Sequence, residues 1–338
     1  VSIVDELEPD ELEAAPPEEL PARVSVMLAT LTDDYFSDPG WLFERKLDGE
    51  RVVARRSPDG VRLATRNHKD LTGTYPELVE ALEAAQPGGT RLVVDGEVVA
   101  FDGDVTSFAR LQRRLGISDP GEARATGIEV VYYVFDVLHV DGRDLTQLPL
   151  RRRKALLKGL LRWEDPLRFT PHRNETGEAY REEACRKGWE GVIAKRADGP
   201  YRHGRSTDWL KFKCSRGQEL VIGGYTEPKG SRHDFGALLV GYHEDGDLVY
   251  AGKIGTGFDE ETLRSLGADL RTRERETSPF DRGGDPRSAH WVTPDLVCEV
   301  GFTEWTRDGR LRHPRYLGLR DDKDPTEVVR EEPRGLPS

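Results

Sequence analysis

Glu44-Arg45-Lys46-Leu47-Asp48-Gly49-Glu50-Arg51 is the stretch whose reading decides the fold. It sets a lysine between two carboxylates, follows it with an Asp-Gly turn and closes on an arginine. The apolar triplet Trp41-Leu42-Phe43 precedes it and Val52-Val53-Ala54 follows. The lysine is therefore predicted to sit where one buried strand breaks and another begins. A surface hairpin with charged decoration has the same local pattern, so the choice rests on the rest of the chain.

Working outward, other apolar runs carry charge in the same unusual way. Leu92-Val93-Val94 and Val98-Val99-Ala100-Phe101 flank Asp95-Gly96-Glu97, two carboxylates and a glycine in mid-strand, a costly thing to bury without a use. Val130 to Val140 reads as a buried strand interrupted by Asp136 and ending at the Asp141-Gly142 turn. Trp189-Glu190-Gly191-Val192-Ile193-Ala194-Lys195 puts Glu190 and Lys195 at the ends of an apolar run. Trp209-Leu210-Lys211-Phe212-Lys213 alternates with period two, which sends Lys211 and Lys213 to one face and Leu210 and Phe212 to the other. Each alone is also explained by a strand with lysines on its wet side. In this order and at these spacings they stop being independent.

Bulk properties leave room for that reading. A chain of 338 residues suits two domains. With 36% hydrophobic and 33% charged residues it can bury cores and stay soluble. No apolar run reaches the roughly 18–20 residues of a membrane span, and the N-terminus lacks a basic-then-apolar signal pattern. Cys185, Cys214 and Cys298 are far apart and odd in number. They fit neither a disulfide framework nor a zinc site, which makes a reducing cytoplasm the default. The net charge of −12 is concentrated: residues 1–20 hold eight acids and no Lys or Arg, leaving 50 basic and 54 acidic residues elsewhere. A near-neutral body can still present a basic face.

Composition divides the chain into an acidic leader over 1–21, expected to be disordered and outside any core; an α/β body over 22–214; a small strand-rich domain over 215–323; and a charged tail over 324–338. Helices are predicted near 75–86, 151–161 and 177–187, the last stopping at Gly188. After the hinge at Cys214-Ser215-Arg216-Gly217, strands fit Leu220–Tyr225, Ala237–Tyr242, Leu248–Ile254 and Leu296–Phe302. With a helix around Glu260–Leu270 they suggest a small β-barrel.

Lys46-Leu47-Asp48-Gly49-Glu50-Arg51, Thr65-Arg66-Asn67, Asp95-Gly96-Glu97, Phe135-Asp136, Glu190-Gly191-Val192-Ile193-Ala194-Lys195 and Leu210-Lys211-Phe212-Lys213 resemble the ordered motifs of covalent nucleotidyltransferases. Within that superfamily the series is most similar to the ligase domain of bacterial end-joining, ATP-dependent DNA ligases. Glu227-Pro228-Lys229-Gly230-Ser231-Arg232, the run Tyr250 to Phe258, Glu304-Trp305-Thr306 and Arg312-His313-Pro314-Arg315-Tyr316-Leu317-Gly318-Leu319-Arg320 extend the likeness to about residues 26–323. Thr65, where serine is commoner, is a minor departure.

The resemblance implies an α+β fold: a nucleotidyltransferase domain of ATP-grasp-like antiparallel sheets with helices, followed by a β-barrel OB-fold domain. It implies sealing of nicked double-stranded DNA with ATP and Mg²⁺ or Mn²⁺. Lys46 would be the nucleophile that becomes lysyl-AMP. Glu44 would accept from the adenine amino group, Phe135 would stack on the base, and Arg51 and Arg66 would contact ribose or phosphate. Glu97 would engage the ribose or position a metal, Glu190 would bind the metal, and Lys211 and Lys213 would hold the α-phosphate, with Lys195 beside them. Arg320 and Lys323 would orient the departing pyrophosphate. The family further implies a monomer with Ku and a separate polymerase as partners. About 25 residues precede the first strand, too few for an extra N-terminal helical DNA-binding domain, so the two-domain clamp, or a partner, is expected to keep the chain on DNA.

The chemistry asks for these residue types on its own terms. A lysine that attacks phosphorus must be neutral, which from a reference pKa of ~10.4 costs roughly 4 kcal/mol at neutral pH. Nearby cations lower that cost and neutralise the transferring phosphate. Gly252-Lys253-Ile254-Gly255-Thr256-Gly257 lacks P-loop order, and the eight histidines form no zinc motif. Arg110, Arg113 and Arg114, and Arg151-Arg152-Arg153-Lys154, are either DNA-backbone contacts or solvated helix faces. An RNA ligase or RNA-capping guanylyltransferase shares the lysine core and is the nearer rival. A nucleic-acid-binding protein without catalysis is the farther one.

Overall fold

Strands that alternate apolar and polar residues pair into sheets with one dry face and one face left for chemistry. The structure, a computed structural model, describes residues 6–85, 89–228, 233–283 and 289–335. It divides into two units, Val1–Cys214 with Glu332–Ser338, and Ser215–Glu331.

Among the described residues, two large sheets build the first unit, beside a small hairpin of Phe101–Asp102 and Val105–Thr106. One runs in the order Met27–Leu31, Gly204–Lys213, Gly191–Arg196, Trp41–Lys46, His172–Asn174. In this sheet, among the described residues, only the pair of Met27–Leu31 with Gly204–Lys213 is parallel. The other runs Leu167–Phe169, Val131–Val140, Leu92–Val99, Glu50–Ser57, Gly60–Thr65, with Arg143–Asp144 added to Val131–Val140. Between the sheets lie Met27, Val53, Val93, Phe135, Leu138 and Trp209. The outer face of the first sheet packs Phe43, Val192, Ala194, Leu210 and Phe212 against Tyr180 and Ala184 of helix Gly177–Arg186. That of the second packs Val52, Ala54, Val94 and Tyr132 on helices Pro76–Ala84 and Leu150–Leu160. Helix Gly177–Arg186 stops as expected, with Gly188 at φ +70°, a conformation that favours glycine.

In the second unit a sheet runs Asp247–Ile254, Leu238–Glu244, Gly217–Thr226, Ala289–Gly301, Glu274–Arg275, with Arg315–Leu319 also on Ala289–Gly301. Helix Glu260–Thr272 buries Leu266 and Leu270 in its core. The expected barrel is not closed: among the described residues no pair joins the outer strands, and register shifts bend the sheet instead.

Three expectations from composition are overturned. In the leader, residues 1–5 lie outside the described residues, but Pro9–Ala14 is a helix and Leu7 and Ala15 are buried in the main core. Its acids find tertiary partners that local sequence does not reveal, as with Arg152 Nε and Glu11 Oε1 at 2.6 Å. The C-terminal tail is also built in: Val328 is buried and its carbonyl accepts from His243 N at 2.7 Å. Finally, Cys185 and Cys214 form a disulfide with Cα atoms 5.2 Å apart. Helix packing brings the end of Gly177–Arg186 to the end of Gly204–Lys213, so cysteine number no longer argues for a reducing compartment.

Candidate functional site

Lys46 ends a strand of the first sheet and Glu50 begins one of the second, so Leu47-Asp48-Gly49 carries the chain between them. A Cβ on Gly49 would come 2.2 Å from the carbonyl oxygen of Val98, so only glycine passes there. Asp48 N donates to Thr106 Oγ1 at 3.2 Å, and Asp48 Oδ2 accepts from Phe108 N at 3.1 Å. The turn is thus pinned on both sides, and the direction of Lys46 with it.

The register assembles the site. Gly191 is opposite both Lys46 and Lys213, Ile193 opposite both Glu44 and Lys211, and Lys195 opposite both Leu42 and Trp209. Directly opposed residues share a face. Three strands therefore present Glu44, Lys46, Lys195, Trp209, Lys211 and Lys213 on one side. A Cβ at Gly191 would lie 2.1 Å from the carbonyl oxygen of Phe212. The position between Lys46 and Lys213 consequently carries no side chain. Glu190 pairs with Lys46 through Oε2 and Nζ. Burial works against its charge, but Lys46, Lys213 and Lys211 hold it below the usual carboxylate range.

Glu44 is buried and salt-bridged twice, to Lys154 Nζ at 2.5 Å and to Lys195 Nζ at 2.6 Å. Burial opposes its ionisation, yet Lys154 and Lys195 keep its pKa lowered. Burial lowers Lys195 to about 8, with Glu44 pulling upward and Lys154 downward. His172, paired with Glu44 across the strands, is held below the ordinary histidine value by burial and Lys154. Its Nδ1 and the Oγ1 of Thr170 are buried atoms with no hydrogen-bond partner among the described residues. Phe135 meets Trp209 edge-on at 5.9 Å, with Lys195 Nζ 4.0 Å and Arg51 Cζ 4.6 Å from its ring centre.

Arg51 forks onto Asp95, both contacts at 2.5 Å, and Asp95 also accepts from Tyr201 Oη at 2.6 Å. This explains the carboxylate inside an apolar strand. Glu97 lies opposite Arg51, and Arg66 directly follows strand Gly60–Thr65. Arg320 and Lys323 belong to the second unit: Arg320 is buried on Asp322 and Glu299, and Lys323 reaches Glu219 at 3.1 Å. Of the expected motif Glu227–Arg232, residues 229–232 lie outside the described residues.

Sequence reading missed Lys154 and Arg153. Neither is a DNA contact nor solvated: both are buried, Lys154 on Glu44 and Arg153 on Asp136 at 2.8 Å. The signal was present in Leu150 and Leu157, whose helical spacing puts residues 153 and 154 on the same inward face. Arg114 is buried too, donating to Thr74 O and Ile128 O at 2.9 Å. Arg110 and Arg113 are exposed.

A divalent ion fits this site only in part. Among the described residues no group of three or more His, Cys, Asp or Glu side chains gathers to hold one. The protein thus offers single carboxylates, as suits Mg²⁺ shared with phosphate oxygens.

Residues 26–213 match the ATP dependent DNA ligase domain, and residues 231–323 match the ATP dependent DNA ligase C terminal region. The chain is 40% identical over 306 residues to the multifunctional non-homologous end joining protein LigD of Pseudomonas aeruginosa, covering 88% of this chain and 35% of that protein. The multifunctional non-homologous end joining DNA repair protein LigD of Mycobacterium tuberculosis is 39% identical over 299 residues, covering 86% and 37%. The chain thus spans about a third of the length of these relatives. A solved mycobacterial DNA ligase D, complexed with ATP and MES, has a TM-score of 0.64 at 34% identity, covering 91% of this chain and 98% of that one. On these grounds, and with the lysine-bearing sheet lying wholly inside the first matched region, the chain belongs to the ATP-dependent DNA ligase family.

Proposed function

We propose that this chain seals 3′-hydroxyl/5′-phosphate nicks in duplex DNA at the expense of ATP, through an AMP carried on Lys46. The observation that carries the reading is the row Lys46–Gly191–Lys213. It sets a nucleophile and a cation on either side of a position without a side chain, with Lys211 one row along. An α-phosphate fits over Gly191, within reach of all three amines.

In the first step the neutral amine of Lys46 attacks the α-phosphorus of ATP. A nitrogen–phosphorus bond forms, the bond to the pyrophosphate oxygen breaks, and the amine proton leaves to solvent. Glu190 is the carboxylate on Lys46 in the resting site, so attack requires that this pair open. Lys211 and Lys213 offset the charge that gathers on the phosphoryl oxygens. In the second step an oxygen of the nick 5′-phosphate attacks the AMP phosphorus, and the bond to the Lys46 nitrogen breaks as that nitrogen takes a proton from solvent. In the third the 3′-hydroxyl attacks the 5′-phosphate and AMP departs.

Glu44 reads the adenine amino group: Lys154 and Lys195 keep it charged and oriented, and the unsatisfied His172 Nδ1 and Thr170 Oγ1 beside it suit a polar base edge. Phe135 flanks the base, sharing its ring with Lys195 and Arg51. Arg51, held by Asp95 through Nε and Nη2, has Nη1 left for sugar or phosphate, with Arg66, next to Thr65 opposite Val52, for the nick phosphate. Glu97 engages the ribose. Glu190 and Glu97 are the carboxylates that would hold Mg²⁺ or Mn²⁺, whose chemistry is to neutralise phosphate charge. Lys323 and Arg320 orient pyrophosphate. The names of the LigD relatives extend the proposal to non-homologous end joining; Ku and a separate polymerase as partners are what the family resemblance implies.

The test incubates the chain with radiolabelled ATP or GTP and Mg²⁺, then with nicked duplexes of DNA and RNA strand combinations. Label from ATP on Lys46 and sealing of nicked DNA are expected. Label from GTP alone would overturn the reading in favour of a guanylyltransferase.

A further inference from the structure

A cavity of about 330 Å³ opens in the first unit, on the same strand as Arg51 but away from the lysines. Its floor is apolar, with Val53, Ala64 and Val93 among its lining residues, and its walls carry Arg23, Arg55 and Arg62. The register explains the layout. Along strand Glu50–Ser57 one face presents Arg51, then Val53 opposite Ala64, then Arg55 opposite both Arg62 and Val93. A cation row, an apolar row and a second cation row therefore follow one another.

Arg55 directly opposite Arg62 is a like-charge cross-strand pair, an arrangement that destabilises a sheet unless a counter-charge is supplied. The protein supplies little. Among the described residues none of the three arginines enters an ion pair; Arg55 Nε donates to Pro21 O at 3.1 Å and so fixes the cavity rim. Asp70 is the one carboxylate in the lining, and its Oδ1 accepts from Thr72 N at 2.8 Å. His68 and Thr65 close the side toward Arg66. Arg23 and Arg62 are exposed and Arg55 is half-buried, and three guanidiniums around an apolar floor suit an anion that also has an apolar body. The volume is that of a small-ligand pocket, and a phosphate-bearing nucleotide answers both demands.

We propose that this cavity binds a nucleotide of the DNA strand flanking the reacting end, its phosphate between Arg55 and Arg62 and its sugar or base over Val53 and Ala64. Arg55 lies four residues from Arg51, about 13 Å along the strand. At 3.4 Å of axis rise per nucleotide, that spans roughly four nucleotides. The inference rests on the ligase reading, which puts the nick phosphate at Arg51 and Arg66. Free nucleotide is the other source of the same chemistry.

The experiment measures binding of the full chain to a fluorescent nicked duplex over a salt series, and to free dAMP by calorimetry. It compares the wild type with Arg62→Gln and Arg62→Lys, whose melting curves check folding. Arg62→Gln is expected to weaken duplex binding about tenfold and to lower the salt slope by about one, with Arg62→Lys keeping the slope. Loss of dAMP binding with duplex binding intact supports the cavity but overturns the strand as its occupant. Unchanged affinity in both arms overturns the site. Adduct formation by the wild type is read in parallel. Its absence alongside Arg62-dependent binding overturns the ligase reading and not the cavity.

Discussion

Glu44 and Lys154 form a buried ion pair at 2.5 Å, joining strand Trp41–Lys46 to helix Leu150–Leu160 two residues before Lys46. Lys154 also donates to Thr170 O at 3.0 Å, so its position is over-determined. Glu44, the carboxylate proposed to read the base, is therefore held by a residue outside the family motifs quoted from the sequence.

Lys154→Met should leave Glu44 with Lys195 alone. Breaking one arm of a buried ionic triad is expected to destabilise the first unit by roughly 3 kcal/mol, read as a lower midpoint in urea. At a temperature where the variant is folded, its KM for ATP in adduct formation should rise more than its kcat falls. An equal KM would mean that Glu44 does not read the base.

Lys195 offers a pH test. Its folded pKa of about 8 lies below the ordinary 10.5. The unfolded chain therefore holds more protons between these values, and stability from this group increases as pH rises through that window. Wild type should gain on Lys195→Met by up to about 3 kcal/mol between pH 8 and 10.5. A flat difference in denaturant midpoint across that range would show Lys195 unperturbed.

Lys46→Ala should still bind nicked duplex in a gel-shift assay but form no protein-AMP adduct. A surviving adduct, mapped by peptide mass, would move the nucleophile elsewhere.

Lys323→Ala should reduce adduct formation at least tenfold while sparing the sealing of a nick that already carries AMP, because pyrophosphate departs only in the first step. Arg320→Ala should also lower stability, since it removes the guanidinium that pairs with the buried Asp322 and the partly buried Glu299. Equal loss of both activities for Lys323→Ala would count against a role confined to the first step.

The sequence by itself determined the strands and their faces, and it singled out Lys46 as the proposed nucleophile. Period two in Leu210-Lys211-Phe212-Lys213 reports which side chains are dry wherever a strand is flanked by a core, and the structure buries Leu210 and Phe212 accordingly. It also marked Asp95 and Asp136 as carboxylates in apolar strands, without revealing their partners. Only the tertiary structure decided that Arg51 answers Asp95, Arg153 answers Asp136, and Lys154 answers Glu44. It alone joined Cys185 to Cys214 and drew Leu7 into the core. The reason is range. Alternation and turn chemistry act over a few residues, whereas Lys154 and Glu44 stand 110 positions apart and meet only when helix and sheet pack. Composition cannot tell a buried, paired charge from a solvated one, because the distinction lies in the partner.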